Sequence, residues 1–122
     1  MIRGLIHENR PLMRVAIESP LGVQEIVVLL DTGFTGELKL SSQIATELGL
    51  EVTHTERVTL ANEELVTMKA SLTEVALEGI KNKVSTLIDA GLMPIVGIAL
   101  LRRFGYKKII FDFSYNTFSL ER

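Results

Sequence analysis

The chain of 122 residues contains no cysteine. This absence excludes disulfide bonds, thiolate metal sites and a cysteine nucleophile, and it is compatible with the cytoplasmic location that we expect. The charges are also nearly balanced: the chain has 13 Lys and Arg residues and 15 Asp and Glu residues, which gives a net charge of −2. Because the net charge is close to zero and slightly negative, we expect neither nucleic acid nor a membrane as a partner.

Long apolar runs and histidines are scarce as well. The most apolar stretch, residues 91–101, contains Pro94 and Gly97 and is far shorter than the roughly 20 residues of a membrane-spanning helix. The first eight residues lack the apolar core of a secretory signal. His7 and His54 stand alone without ligand spacing around them, so we expect no metal and no other cofactor.

What the sequence does contain is a hydrophobic fraction of 47%, in which β-branched and alternating residues dominate. We therefore predict one mostly β domain that spans residues 1–122. The predicted strands are Leu12–Glu18, Gln24–Leu30, Thr53–Leu60, Leu65–Leu77, Lys83–Ile88, Lys108–Phe113 and Thr117–Leu120, with a short one around Leu38 and Leu40. The predicted helices are Gln43–Leu48, with an N-cap from Ser41-Ser42, and Ile98–Phe104.

The most informative motif is Asp31-Thr32-Gly33, which directly follows the apolar run Ile26–Leu30. An aspartate at the end of a buried strand must be desolvated, paired or hydrogen-bonded, and each of these shifts its pKa. A second apolar element that ends in glycine, Ile95-Val96-Gly97, lies far downstream. Each half of the chain thus has an apolar strand, a glycine-containing loop and a short helix.

The segments 28–36 and 94–101 together resemble the retroviral-type (retropepsin-like) aspartic proteases, and among them the single-domain prokaryotic members. The resemblance extends from about Ile2 to Leu120. It implies a closed β-barrel with two short helices, one lobe per chain. It also implies an aspartic endopeptidase that acts on a peptide or protein substrate as a homodimer, each copy contributing Asp31.

Two carboxylates are needed for this chemistry, one ionised to take a proton from water and one protonated to assist the carbonyl oxygen. The chain has one Asp-Thr-Gly, and Asp89-Ala90-Gly91 lacks the hydroxyl. Two carboxylates about 3 Å apart repel by roughly 5 kcal/mol at an effective dielectric constant of about 20. The pair therefore holds one proton over a wide pH range, an effect for which the aspartic-protease dyad is the standard example.

The resemblance also assigns roles to the two residues that follow Asp31. It implies that the Thr32 hydroxyl bonds across the dimer axis, and the alternative is an ordinary buried hydroxyl with a partner in its own chain. Gly33 is expected to adopt unusual backbone angles and to bring its N–H close to the carboxylate or the substrate.

Substrate binding is implied for a loop and for a hairpin. The hairpin at residues 61–64 corresponds by position to the flap that closes over substrate, and an ordinary surface hairpin is the alternative. Asn62 could supply left-handed angles at this tip, which has no glycine. The substrate-binding residues implied by the resemblance are Phe34, Thr35, Ala61, Asn62, Glu63 and Ile95.

The sequence departs from the retroviral pattern at three positions. Ile98 and Thr35 replace an arginine and an aspartate, and because both are absent together no buried charge is left without a partner. Phe34 replaces a small residue, which changes the expected shape of the substrate pocket rather than the chemistry.

Two other readings remain open at the level of sequence. One is a non-catalytic dimer that binds peptides or partners on the same fold. The other is an all-β monomer in which Asp31 is only a structural turn residue. For a dimer, Ile2–His7 and Thr117–Leu120 are candidate interface strands, because exposed strand edges need covering.

Overall fold

In the computed structural model, residues 1–91 and 93–122 are described, and they form ten strands and two short helices. The strands are β1 (Ile2–His7), β2 (Arg10–Ser19), β3 (Gly22–Leu30), β4 (Leu38–Ser41), β5 (His54–Thr59), β6 (Leu65–Leu77), β7 (Ile80–Asp89), β8 (Ile95–Val96), β9 (Lys108–Asp112) and β10 (Thr117–Glu121). The helices are α1 (Ser42–Glu47) and α2 (Ile98–Arg103). The prediction of a mostly β chain with two short helices is confirmed.

The strands hydrogen-bond in the order β5-β6-β7-β4-β8-β3-β2-β1-β10-β9. An additional pairing of β2 with β6 closes six of them, β2-β3-β8-β4-β7-β6, into a ring. The ring encloses the core because side chains alternate along each strand. On β2, for example, Met13, Val15 and Ile17 are buried while Arg14 is exposed.

Tight turns join the long strands. Ser19-Pro20-Leu21-Gly22 joins β2 to β3, with Ser19 opposite Gly22. The strand predicted over Lys83–Ile88 is longer and begins at Ile80, directly after a turn of two residues. Glu78 and Gly79 form this turn with φ of 49° and 78°, the left-handed conformation that two-residue hairpin turns require. The sequence pattern did not indicate this turn, because glutamate seldom adopts the left-handed conformation.

The two helices begin in different ways. Ser41 caps α1, since its hydroxyl accepts the Ile44 N–H at 3.1 Å, and Gly49 follows its end with φ 71°. Gly97 precedes α2 without a side-chain cap, and Arg102 and Arg103 lie in its last turn. No helix in residues 1–91 or 93–122 is long and apolar enough to span a membrane.

The C-terminal strand does not offer the free edge that the sequence suggested. β10 pairs along its length with β1 on one side and β9 on the other, and β1 pairs with β10 and then β2. The edges of the sheet are β5 and β9. The interface-strand prediction for Thr117–Leu120 is therefore wrong in its reason, because β1 and β9 cover this strand. In the predicted interface strand Ile2–His7, Ile2, Arg3 and Gly4 pair with β10 alone.

Candidate active site

Asp31 lies where β3 leaves the core. Val28 and Leu30 on this strand are buried, and Asp31 itself is half-buried. Its N–H donates to the Val96 carbonyl at 2.9 Å, and its carbonyl accepts the Phe34 N–H at 3.2 Å. Its carboxylate accepts the Gly33 N–H through Oδ1 at 2.9 Å. Two hydrogen bonds thus hold the Asp31 main chain, and a third, from Gly33, orients its carboxylate.

The second glycine motif, Ile95-Val96-Gly97, lies directly beneath this loop. β8 pairs in parallel with β3 and antiparallel with β4. The Gly97 N–H then donates to the Glu37 carbonyl at 3.0 Å. A Cβ at Gly97 would lie 2.3 Å from the Gly36 oxygen, so only glycine fits there without a shift of the backbone.

Gly33 differs from its prediction in one respect. It lacks the positive φ that would demand glycine; in the described residues, glycines with positive φ are Gly22, Gly49, Gly79 and Gly105. Its N–H does approach the carboxylate, as expected. The role visible at Gly33 is therefore donation of a hydrogen bond to Asp31 rather than an unusual backbone conformation.

A cavity of about 460 Å³ opens in front of Asp31. It lies between the Asp31 loop, the ends of β4, β7 and β8, and the β5–β6 hairpin. Its lining consists of Asp31, Gly33, Phe34, Thr35, Lys39, Val58, Thr59, Leu60, Ala61, Met68, Leu87, Asp89 and Ile95. Six sequence-predicted site residues thus come together in it: Asp31, Gly33, Phe34, Thr35, Ala61 and Ile95.

Thr32 does not line this cavity. It is exposed, and it lines a neighbouring cleft with Phe34, Thr35, Ile98, Ala99 and Arg102. Its hydroxyl has no hydrogen-bond partner within the described residues of its own chain. A buried hydroxyl with an internal partner, the ordinary alternative for Thr32, is therefore ruled out by its exposure.

The tip of the β5–β6 hairpin holds Asn62 and Glu63 at the surface, outside the cavity lining. The tip is closed by the Glu63 N–H on the Leu60 carbonyl at 2.9 Å and by the Leu60 N–H on the Glu64 carbonyl at 2.8 Å. Asn62 uses its side chain instead of left-handed angles, because its Oδ1 accepts the Glu64 N–H at 3.0 Å. Glu63 takes the left-handed conformation, with φ 68°.

Sequence reasoning missed the charged pair in the cavity wall. Lys39 Nζ lies 3.4 Å from Asp89 Oδ2, and Asp89 Oδ1 accepts the Gly91 N–H at 2.7 Å. Asp31 and Gly33 make the same contact, in which the aspartate Oδ1 accepts the N–H of the glycine two residues later. The available signal was the alternation at 38–40, which turns Lys39 away from the core that buries Leu38 and Leu40.

An ion pair links the loop after Asp31 to α2. The Arg103 guanidinium donates to both Glu37 carboxylate oxygens, with Nη2 2.9 Å from Oε1 and with Nε on Oε2. These hydrogen bonds, and then the charge of Glu37, raise the pKa of Arg103. Thr35 in this loop and Ile98 on α2 are uncharged and cannot form an ion pair. Glu37 and Arg103 form one instead between the same loop and the same helix.

A larger cavity of about 640 Å³ lies elsewhere, between β1, β2, β3 and the β6–β7 turn. Its charged groups, among them Arg3, Arg14 and Glu25, are exposed. No group of three or more His, Cys, Asp or Glu side chains suited to a metal occurs in the described part of the chain. The Asp31 cavity is the better candidate because a fixed carboxylate faces it.

Comparison with known proteins agrees with this geometry. A family model described as aspartyl protease matches residues 14–96. No curated protein matches the chain by sequence. Among solved structures, a retropepsin-like aspartic protease from Rickettsia conorii is similar at 17% identity and a TM-score of 0.66, covering 98% of this chain and 88% of that one. The EIAV protease complexed with the inhibitor HBY-793 is similar at 21% identity and a TM-score of 0.62, covering 84% and 95%.

These likenesses extend over most of the chain, and the residues that the family model matches include Asp31-Thr32-Gly33. At such low identities the structural matches show the fold, and the family model shows the family. The predicted retropepsin-like fold is confirmed, and the chain belongs to the aspartyl protease family.

Proposed function

We propose that this protein is an aspartic endopeptidase that works as a homodimer, with Asp31 of each copy holding one shared water. The observation that carries the proposal is the position of Asp31, whose carboxylate accepts the Gly33 N–H and lines a peptide-sized cavity. Thr32 and Gly33 complete the catalytic motif, and Phe34, Thr35, Ala61 and Ile95 are proposed to contact substrate.

One chain alone supplies one suitable carboxylate. Asp89 lines the same cavity but is three strands away from Asp31, because β4 and β8 lie between β7 and β3. At about 4.8 Å per strand, the separation along the sheet is on the order of 14 Å, too far for one water to bridge. Asp89 is also paired with Lys39. The second acid is therefore proposed to be Asp31 of a second copy.

The pairing of the two aspartates provides both the acid and the base. Because the carboxylates repel each other at short range, they share one proton, so one is ionised while the other is protonated. The ionised group takes a proton from the water as it attacks the peptide carbonyl, and the protonated group donates to the carbonyl oxygen. The exposed Thr32 hydroxyl is proposed to brace the two loops across the axis.

The surface beside Thr32 suits a second copy. The cleft at Thr32 shares Ile98 and Arg102 with an adjoining cleft that reaches residues 107–109, so one continuous surface runs from the Asp31 loop to β9. This surface is partly apolar, with Ile98 41% exposed, and Ile110, 47% exposed, is the next residue of β9 beyond it. It also ends in a sheet edge, which can pair with another strand.

The residues of β9 complement themselves. If two β9 strands pair antiparallel about Ile110, Lys108 of each copy lies opposite Asp112 of the other, on one face of the new sheet. Opposite charges that face each other across strands are stabilising. A twofold axis at Ile110 would make the contact self-complementary, as closed dimers require.

The β5–β6 hairpin is proposed to act as a flap. Val58, Thr59, Leu60 and Ala61 reach the cavity from above, while Asn62 and Glu63 lie at the exposed tip. β5 is also an edge strand, so its main chain can pair with an extended peptide. Asn62 and Glu63 are then proposed to contact substrate only when the hairpin closes.

The experiment is cleavage of a diverse peptide library by the native protein and by Asp31→Asn. Asp31→Asn keeps the size of the side chain and removes the base, so we expect cleavage to fall to background. The matched control is Glu51→Gln, the same loss of charge at an exposed site outside the cavity, and it should cleave like the native protein. A statine-type transition-state mimic should inhibit, whereas EDTA should not.

The alternative, a dimer that binds peptides without cutting them, predicts binding by both proteins and cleavage by neither. Equal cleavage by native protein and Asp31→Asn would refute the proposal, since the activity would then come from another group or a contaminant. Sedimentation at high micromolar concentration gives a second check, and a monomer there would contradict a shared site. We also propose that the enzyme works in the cytoplasm, which the cysteine-free sequence permits.

A further inference from the structure

The ion pair of Lys39 and Asp89 lies inside the cavity where a peptide would bind. Lys39 Nζ and Asp89 Oδ2 are 3.4 Å apart, and their side chains are 25% and 29% exposed. The Gly91 N–H occupies Asp89 Oδ1, so Oδ2 is the oxygen turned toward Lys39. An ammonium group has three donors and a carboxylate oxygen has two lone pairs, so Lys39 can donate a further hydrogen bond to a ligand and Asp89 can accept one.

The strand register places this pair to one side of Asp31. Lys39 on β4 is opposite Ile95 on β8, and Ile95 is opposite Leu29, two residues before Asp31 on β3. Two strand spacings of about 4.8 Å put β4 on the order of 10 Å from β3 along the sheet. An extended peptide covers that distance in about three residues. The pair therefore meets a substrate side chain near the cleaved bond, and not the bond itself.

The walls around the pair are mostly apolar. Val58, Leu60 and Met68 come from the hairpin, and Leu87 and Ile95 come from the sheet. A peptide side chain that enters this part of the cavity leaves water and meets the ion pair as its principal polar contact. The chemistry of the pair then decides which side chain is accepted.

The pair has no net charge, yet it presents a donor and an acceptor side by side. A substrate carboxylate that Lys39 attracts is repelled by Asp89, and for a substrate ammonium group the signs are reversed. An aliphatic side chain would cover both charges and remove their water without replacing the hydrogen bonds. A carboxamide supplies an oxygen for Lys39 and N–H donors for Asp89 in one planar group.

We infer that Lys39 and Asp89 form a subsite for a glutamine or asparagine side chain of the peptide substrate. The inference rests on the proposed function, because it names the substrate class of the same cavity. It depends on residues particular to this chain and not on the Asp-Thr-Gly motif.

The test compares cleavage of peptides that differ only at one position, scanned through several residues on each side of the cleaved bond. For the native protein we expect one position at which glutamine or asparagine is preferred over leucine, lysine and glutamate by about tenfold or more. Lys39→Met leaves Asp89 as the sole charge, so preference should move to lysine and arginine. Asp89→Asn leaves Lys39, so preference should move to aspartate and glutamate, while the amide oxygen can still accept the Gly91 N–H.

Two further variants separate specificity from folding. Lys39→Met combined with Asp89→Leu makes the subsite apolar, and preference should move to leucine at the same position. Lys69→Met is the matched control, since Lys69 is exposed on β6 and outside the cavity, and its preference should equal that of the native protein. Thermal unfolding of every variant confirms that each one is folded at the assay temperature.

A binding measurement keeps this inference distinct from the endopeptidase proposal. The same peptides, labelled with a fluorophore, are titrated with Asp31→Asn protein, alone and combined with each subsite variant. If binding preferences move as described while no protein cleaves, the subsite holds and the endopeptidase proposal fails. If preferences stay unchanged across the Lys39 and Asp89 variants, or if no peptide binds or is cleaved, the subsite inference is overturned.

Discussion

Gly97 packs so tightly under the Asp31 loop that a Cβ at this position would lie 2.3 Å from the Gly36 carbonyl oxygen and 2.6 Å from that of Phe34. Both contacts are with backbone, which cannot rotate away. At Gly33 a Cβ would be 3.4 Å from Asp31 Oδ1, an ordinary contact. The steric demand for glycine therefore lies in the second motif, although the first motif carries the carboxylate.

This contrast predicts different outcomes for two alanine substitutions. Gly97→Ala should destabilise the fold by about 1–3 kcal/mol, the usual effect of overpacking, and should displace the Asp31 loop. Gly33→Ala should unfold at nearly the native urea concentration. Urea titrations followed by circular dichroism measure both, and equal stability of Gly97→Ala and native protein would contradict the packing described here.

The Glu37–Arg103 pair predicts a second effect on stability. Glu37 is 14% exposed and receives two hydrogen bonds from Arg103, so Arg103→Gln should leave a mostly buried carboxylate without its fork-shaped partner. Because Arg103 is 47% exposed, solvent screens the pair and we expect a loss of about 1 kcal/mol.

Arg14→Gln is the matched control, since Arg14 is exposed on β2, outside the proposed dimer surface, and makes no ion pair with a described residue. A double-mutant cycle with Glu37→Gln isolates the interaction between the two side chains. Additive effects of the two substitutions would show that the interaction between the two side chains does not stabilise the fold.

The proposed dimer contact predicts that one exposed residue of β9 controls both assembly and activity. Ile110→Lys would place two like charges face to face on the axis, so the protein should sediment as a folded monomer and lose cleavage activity. Val52→Lys introduces the same change at a site that is 52% exposed and distant in sequence from β9, and it should remain a dimer. A dimeric, active Ile110→Lys would place the interface elsewhere.

Local patterns made much of the fold and part of the site predictable. The alternation along β2 and β6, the cap at Ser41 and the Asp31-Thr32-Gly33 motif all depend on residues close in sequence. The conformation of the hairpin tip was harder to predict. The Asn62 side chain bonds to the Glu64 N–H, and Glu63 rather than Asn62 then takes the left-handed conformation.

The remaining features depend on contacts between distant segments. Glu37 and Arg103 are 66 residues apart, and Lys39 meets Asp89 only because β4 pairs in parallel with β7. Neither pairing leaves a periodic signal in the sequence. The covering of the C-terminal strand has the same origin, since β9 and β1 enclose β10 only after the sheet has formed.

A last prediction concerns acid stability and the cluster around Glu78. The Met1 amino group lies 2.5 Å from Glu78 Oε2, and the Tyr106 hydroxyl donates to Oε1 at 2.5 Å. Hydrogen bonds from Met1, and then from Tyr106, lower the pKa of Glu78 below its ordinary value of 4.5. Burial and the bond to Glu78 raise the pKa of Tyr106, so that hydroxyl keeps its proton and remains the donor.

A carboxyl whose pKa is lower in the folded state stabilises the fold when the pH is above its ordinary value. That stabilisation is lost as the pH falls through 4.5 toward the folded pKa, because protonation then favours the unfolded chain. The native protein should therefore lose stability on acidification more steeply than Glu78→Gln, which has no proton to take up. The dependence of stability on pH is measured from urea unfolding midpoints between about pH 6 and about pH 3, a range that spans the ordinary pKa of a carboxyl group. Glu51→Gln, at an exposed site, should retain the native slope, and a native slope in Glu78→Gln would show that other carboxylates control acid unfolding.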